Sequence, residues 1–202
     1  MAATESPRIA ALVLAAGEGS RMKKVKQLLP WKGTTLINYH LNQLIDAGFE
    51  RPYLILGAHS EVIKNRIEPK SHVKEFTNWS SGIGATLQFG LECILKKEDN
   101  IHGVMISLID QPLIEVEHYN NLKNNFIGKE SIIATSYKES VGVPAIFGRN
   151  YFKELKVLPK EKGAKALLMQ YAERTISLKC VGSSVDLDTI ENYEKHYNLY
   201  GK

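Results

Sequence analysis

Just behind an apolar run at residues 9–15 the chain places Ala16, Gly17, Gly19 and Ser20, and then the cations Arg21 and Lys26. Small residues let backbone amides come close to phosphate oxygens, and the cations supply the opposite charge. With Leu14 and Ala15 ending the run, this is the composition of a triphosphate grip, although an ordinary strand-to-helix turn with a solvated basic stretch has the same ingredients. Gly17-Glu18-Gly19-Ser20-Arg21-Met22 lacks the third glycine of a dinucleotide fingerprint, and the P-loop pattern is absent from this stretch. Further on, Val104, Met105, Ile106 and Leu108 read as a buried strand with Asp110 at its tip. An ionised carboxylate there needs a partner. A divalent cation, Mg2+ or alternatively Mn2+, suits it, because such ions take one or two carboxylates together with phosphate oxygens and water. Arg21, Lys26 and Asp110 are thus the candidate catalytic residues.

These residues need a scaffold that brings separate loops to one edge. The periodicity predicts strands at 9–15, 51–57, 73–77, 102–108, 131–136, 143–147, 175–181 and 184–187. Helices are predicted at 35–47, 60–67, 84–97, 116–126 and 165–172, with a last one from 189. Such alternation implies an α/β fold whose sheet is mainly parallel and covered by helices on both faces, with ligands at the carboxyl ends of strands. The polar, Gly-rich segments fall just after strands, as that rule requires: 16–26, Gly57-Ala58-His59-Ser60, Asn78 to Gly84, and Asp110-Gln111-Pro112. Gly57, Ser81 and Gly82 therefore join the candidate nucleotide contacts. Ser81 and the glycines offer hydroxyl and backbone groups, and the following helix start offers free amides. Ser80 or Ser81 as a helix cap and Trp79 as a core plug remain the plainer alternative.

Composition sets the bounds. A chain of 202 residues, 44% hydrophobic, can bury one good core and needs no second domain. Its net charge of +4 suits small anionic substrates better than nucleic acid. No apolar run approaches the ~18 residues of a membrane span, and the first residues lack a secretory pattern, so a cytoplasmic location with no membrane partner is expected. Cys93 and Cys180 read as buried thiols, and the six histidines show no catalytic spacing and read as surface or partly buried structural residues.

Within residues 12–30 the chain resembles the signature L-A-A-G-x-G-x-R-M-G-x-x-K-x-L-L-P of Rossmann-like, GT-A-type nucleotidyltransferases, most closely the molybdenum cofactor cytidylyltransferase branch. Lys23 stands in place of that family's Gly. Asp110-Gln111-Pro112-Leu113 matches its D-Q-P-L motif, whose Asp is a metal ligand, and Trp79, Gly82, Gly84, Thr86 and Leu87 resemble the loop beside the nucleotide's base and ribose. Asp186-Leu187-Asp188-Thr189 resembles the D-I-D-T segment, with Ile190 and Asn192 departing from the motif. If that segment is extended, both Asp side chains share one side. One is expected to complete the metal site and the other to cap the last helix. Pro144 lies in a G-x-P-x-x-F-like element where Val143 replaces a frequent His, and Lys162 and Lys165 lie in a G-D-x-G-A-R-x-L-L-like element. With Gln111, these three are the expected acceptor contacts.

The resemblance implies a single-domain, three-layer sandwich, with a nucleotide part at about 8–112 and an acceptor part at about 113–202. It implies transfer of CMP from CTP to the phosphate of a molybdopterin-type cofactor, Ala16 being the residue associated with CTP over GTP. A molybdoenzyme or its chaperone would be the protein partner. A GTP-using or sugar- or polyol-phosphate transferase of the same fold, and a non-catalytic cofactor carrier, are the alternatives.

Overall fold

The computed structural model describes residues 6–22, 24–68, 71–138, 140–180 and 185–202. Lys23 and Ser184 lie outside them, and the Ser20 side chain is likewise not described.

Among the described residues seven strands form one sheet: β1 (Ile9–Ala15), β4 (Tyr53–Leu56), β5 (His72–Glu75), β6 (Gly103–Leu108), β7 (Ile132–Tyr137), β8 (Ser140–Gly148) and β9 (Thr175–Lys179). Their spatial order is β5-β4-β1-β6-β8-β7-β9. Neighbours run parallel except at β8, which pairs antiparallel with both β6 and β7. A two-stranded ribbon, β2 (Pro30–Trp31) with β3 (Thr34–Thr35), stands apart. The helices are α1 (Leu36–Asp46), α2 (Ser60–Lys64), α3 (Ile83–Leu95), α4 (Val116–Asn124), α5 (Phe152–Lys156), α6 (Lys165–Gln170) and α7 (Ile190–His196). Among the described residues no helix is long and apolar enough to cross a membrane.

The alternation of β1 explains the layers. Ala10, Leu12 and Leu14 face one core with Leu87 and Leu91 of α3, Leu155 of α5 and Leu168 of α6. Ala11, Val13 and Ala15 face the other, with Leu41 of α1 and Leu122 of α4. With both faces covered, the strand must be apolar throughout, as its sequence is. A third, smaller cluster joins Met22, Trp31, Leu36, Leu187 and Tyr193. It fastens the end of the basic loop to the C-terminal segment.

From β1 the chain lays β4 and β5 on one side, then crosses to β6 on the other. This places a topological switch between β1 and β6, where ligands of open α/β sheets bind.

Several expectations need correction. Residues 185–187 are not a strand: the amide of Asp188 donates to the carbonyl of Asp186 at 3.0 Å, so the chain turns at Leu187 instead of running extended. The ribbon β2/β3 and helix α5 are too short to carry a periodic signal. Strand β8 runs well beyond 143–147. Cys93 and Cys180 are half-exposed thiols. His40 and His118 are fully buried, each ring within hydrogen-bond distance of a hydroxyl, Ser107 at 2.9 Å and Thr135 at 2.8 Å.

Candidate active site

The loop after β1 is held by its carbonyls. Gln27 donates from Nε2 to the carbonyls of Ala15 at 3.0 Å and Gly17 at 3.2 Å, and the amide of Ala58 donates to the carbonyl of Ala16 at 3.0 Å. The amides of Gly17, Glu18 and Gly19 have no protein acceptor among the described residues. A run of tied carbonyls with free amides is an anion-binding concavity. Gln27 is 3% exposed. Sequence reasoning passed over it, because a Gln has no distinctive spacing; its place between a required Lys and an apolar pair was the available signal.

Around this loop opens a cavity of about 380 Å3 lined by Leu14, Ala15, Ala16, Gly17, Gly19, Lys26 and Asp110. Gln27, Trp79, Gly82 and Thr86 also border it. Lys26 is buried, and its Nζ lies 3.2 Å from Asp110 Oδ2 and 3.4 Å from Asp188 Oδ1. Arg21, largely exposed, meets Asp188 Oδ2 at 3.2 Å. Two carboxylates from distant parts of the chain thus converge on one cationic centre.

Asp110 is held there by its strand and by the amide of Leu187, which donates to its carbonyl at 2.9 Å. Its Oδ1 is buried and without a hydrogen-bond partner. Burial pushes the Asp110 carboxyl above its ordinary range, with Asp186 and Asp188 adding to the rise and Lys26 opposing it. An orphaned acceptor beside a second carboxylate fits a hard divalent cation. Among the described residues no three His, Cys, Asp or Glu side chains are gathered to hold a metal unaided, so the remaining ligands would come from phosphate and water.

The segment before α3 differs from expectation. The carbonyl of Lys160 accepts from the amides of Gly84 at 2.8 Å and Ala85 at 3.2 Å, so the chain itself takes these first-turn donors. A Cβ on Gly84 would lie 2.4 Å from the carbonyl oxygen of Pro159. The cap position is Gly82, not a serine, and Trp79 borders the cavity instead of plugging the core. Ser80, not Ser81, lines it. Gly57 packs behind it: a Cβ there would lie 2.5 Å from that of Trp79 and 2.6 Å from the carbonyl oxygen of Ala16.

A second cavity of about 380 Å3 shares Leu14, Ile83 and Leu108 with the first. Its walls are largely apolar, including Ile106, Val141 and Val143, and its polar groups include Gln111, Tyr137, Lys165 and Asp186. Pro144 and Lys162 are not on its lining. Pro144 is buried and its carbonyl accepts from Thr135 Oγ1 at 2.7 Å. Asp186 accepts from Gln111 Nε2 at 2.9 Å. Neither Asp186 nor Asp188 caps α7; Thr189 does, accepting from the amide of Asn192.

A family model described as the MobA-like NTP transferase domain matches residues 11–175. The chain belongs to this family. As a MobA-like domain it is a nucleotidyltransferase with a Rossmann-like α/β fold. It is 25% identical over 205 residues to nicotine blue oxidoreductase of Paenarthrobacter nicotinovorans, covering 95% of this chain and 97% of that protein. Against purine catabolism protein PucB of Bacillus subtilis it is 27% identical over 203 residues, covering 94% and 96%. The crystal structure of Rv0371c from Mycobacterium tuberculosis superposes with a TM-score of 0.80 at 26% identity, over 95% of this chain and 98% of that one. A manganese complex of Rv0371c aligns with a TM-score of 0.75. That relative therefore binds a divalent ion.

Proposed function

We propose that this MobA-like domain transfers CMP from CTP to the terminal phosphate of a molybdopterin-type cofactor, releasing pyrophosphate. The observation that carries the reading is the loop after β1, whose carbonyls are tied and which lines a cavity together with Lys26 and Asp110. Free amides from Gly17 to Gly19, together with Arg21 and Lys26, hold the triphosphate. Asp110 and Asp188 hold the divalent cation. When bound, the ion neutralises charge on the phosphates.

An oxygen of the acceptor phosphate attacks the α-phosphorus in line, the bond to the β-phosphate oxygen breaks, and the pair leaves as pyrophosphate. The chain contributes position and charge, and no covalent enzyme intermediate is needed. The adjoining cavity shares a wall with the nucleotide cavity, which sets two substrates side by side. Its apolar walls favour a flat ring over a sugar or polyol, and Lys165 offers a cation to the acceptor's phosphate. Ala16, in the nucleotide cavity, supports CTP over GTP.

Incubating the protein and Mg2+ with each nucleoside triphosphate, with and without molybdopterin cofactor, tests this by pyrophosphate release. Release requiring CTP, cofactor and Asp110 together supports the proposal. Release with GTP overturns the base assignment, release onto a sugar phosphate overturns the acceptor, and cofactor binding without release from any nucleotide makes the protein a carrier.

A further inference from the structure

The pair Asp186 and Asp188 matches one motif yet meets two sets of partners. Leu187 is fully buried, its amide donates to the Asp110 carbonyl, and the chain turns tightly around it. One carboxylate thereby falls on each side of this anchor. Asp188 goes to the cationic centre, touching Arg21 and Lys26. Asp186 lines the second cavity with Gln111, Tyr137 and Lys165, and makes no ion pair among the described residues.

Two neighbours of Asp186 are already committed. Gln111, 7% exposed, spends its Nε2 on Asp186 Oδ1. The Tyr137 hydroxyl donates to the carbonyl of Val143, so it is not offered to Asp186. Asp186 Oδ2 accepts no hydrogen bond from the described residues, and Gln111 Oε1 is buried and without a partner. The cavity therefore presents two open acceptors, Asp186 Oδ2 and the buried Gln111 Oε1, with Lys165 as its charged donor, between largely apolar walls. The buried Gln111 Oε1 costs free energy unless a ligand supplies an N–H group.

We propose that Asp186, oriented by Gln111, reads the acceptor's ring by accepting from its N–H donors, and is not a ligand of the metal. The chemical class is a flat heterocycle with an amino group beside a ring N–H, which offers a carboxylate two parallel donors. This rests on the two-cavity transferase reading above.

The test separates the two aspartates on separate readouts. Binding of pterin, which carries that donor pair, and of lumazine, in which an oxo group replaces the amino group, is followed by fluorescence. Mn2+ binding in the presence of CTP is followed by electron paramagnetic resonance. Asp186→Asn is expected to weaken pterin binding about tenfold or more and leave Mn2+ affinity within about twofold, since a neutral amide forfeits the charge-assisted pair. Asp188→Asn is expected to do the reverse, and wild type should prefer pterin to lumazine. Gln111→Leu, which frees Asp186 from its anchor, should weaken pterin binding with Mn2+ affinity unchanged. Loss of Mn2+ affinity in Asp186→Asn, unchanged pterin binding in that variant, or no pterin binding by wild type would each overturn the proposal. Failure of the transferase reading would look different, with pterin discrimination intact and no pyrophosphate from any nucleotide.

Discussion

Lys26 holds the place between Asp110 and Asp188 that the proposed mechanism gives to a divalent ion, and this makes it two-faced. On that proposal it competes with the metal when no nucleotide is bound and pairs with the phosphates when a triphosphate is. Lys26→Met is therefore expected to raise Mn2+ affinity several-fold in the absence of CTP while lowering CTP affinity at least tenfold, measured by paramagnetic resonance and calorimetry. Asp110 sets the pH dependence. Burial raises its carboxyl, so the ionised form that can bind metal is lost on acidification before an ordinary carboxylate would be, and nucleotide-dependent Mn2+ binding should decline at a pH above the usual ~4. Gln27 acts at one remove, through the carbonyls it fixes. Gln27→Met keeps its length and loses both hydrogen bonds, so the Michaelis constant for the nucleotide should rise about tenfold with a smaller fall in turnover.

At the level of elements, α1 is joined to β6 through a buried imidazole. His40 and Ser107 lie 2.9 Å apart, and burial lowers the His40 pKa from 6.5 to about 4. The folded protein thus keeps the ring neutral where the unfolded chain would protonate it. Stability from this residue is complete above about pH 6.5 and is lost as pH falls toward about 4, by an amount on the order of 3 kcal/mol. Chemical denaturation across that range should show the loss, and His40→Gln, though less stable at neutral pH, should flatten its slope. A second contact sits at the start of α3, where the chain around Lys160 presses on Gly84. Gly84→Ala should shift that segment away and weaken substrate binding on both sides of the shared Ile83 wall, read as higher Michaelis constants for both substrates.

For the molecule as a whole, the segments before and after residue 112 share a single sheet. Strand β8 pairs with β6, and one core contains Leu12 and Leu14 with Ala145, Phe147 and Leu168. A fragment ending at residue 112 loses that cover from β6, so it should show no cooperative unfolding transition, whereas the full chain should. The C-terminal segment also closes the site from afar, since Leu187 and Tyr193 pack against Met22 and Trp31. Distance in sequence is the cost of bringing Asp188 to Lys26.

The sequence by itself determined the alternating α/β plan, the loop after β1 and the tip of β6. Each of these is local: apolar strands read from composition, and Ala16 to Lys26 and Asp110 follow them within a few residues. Period and spacing are enough for such features. Tertiary structure decided what depends on partners far along the chain. The α3 amides are filled by Lys160, Gly57 serves packing, and Gln27 holds the loop. Above all, a turn at Leu187 sends two like aspartates to different partners, Asp186 to Gln111 and Asp188 to Lys26. Their shared motif could not tell them apart, because the difference lies in which distant donor meets each carboxylate.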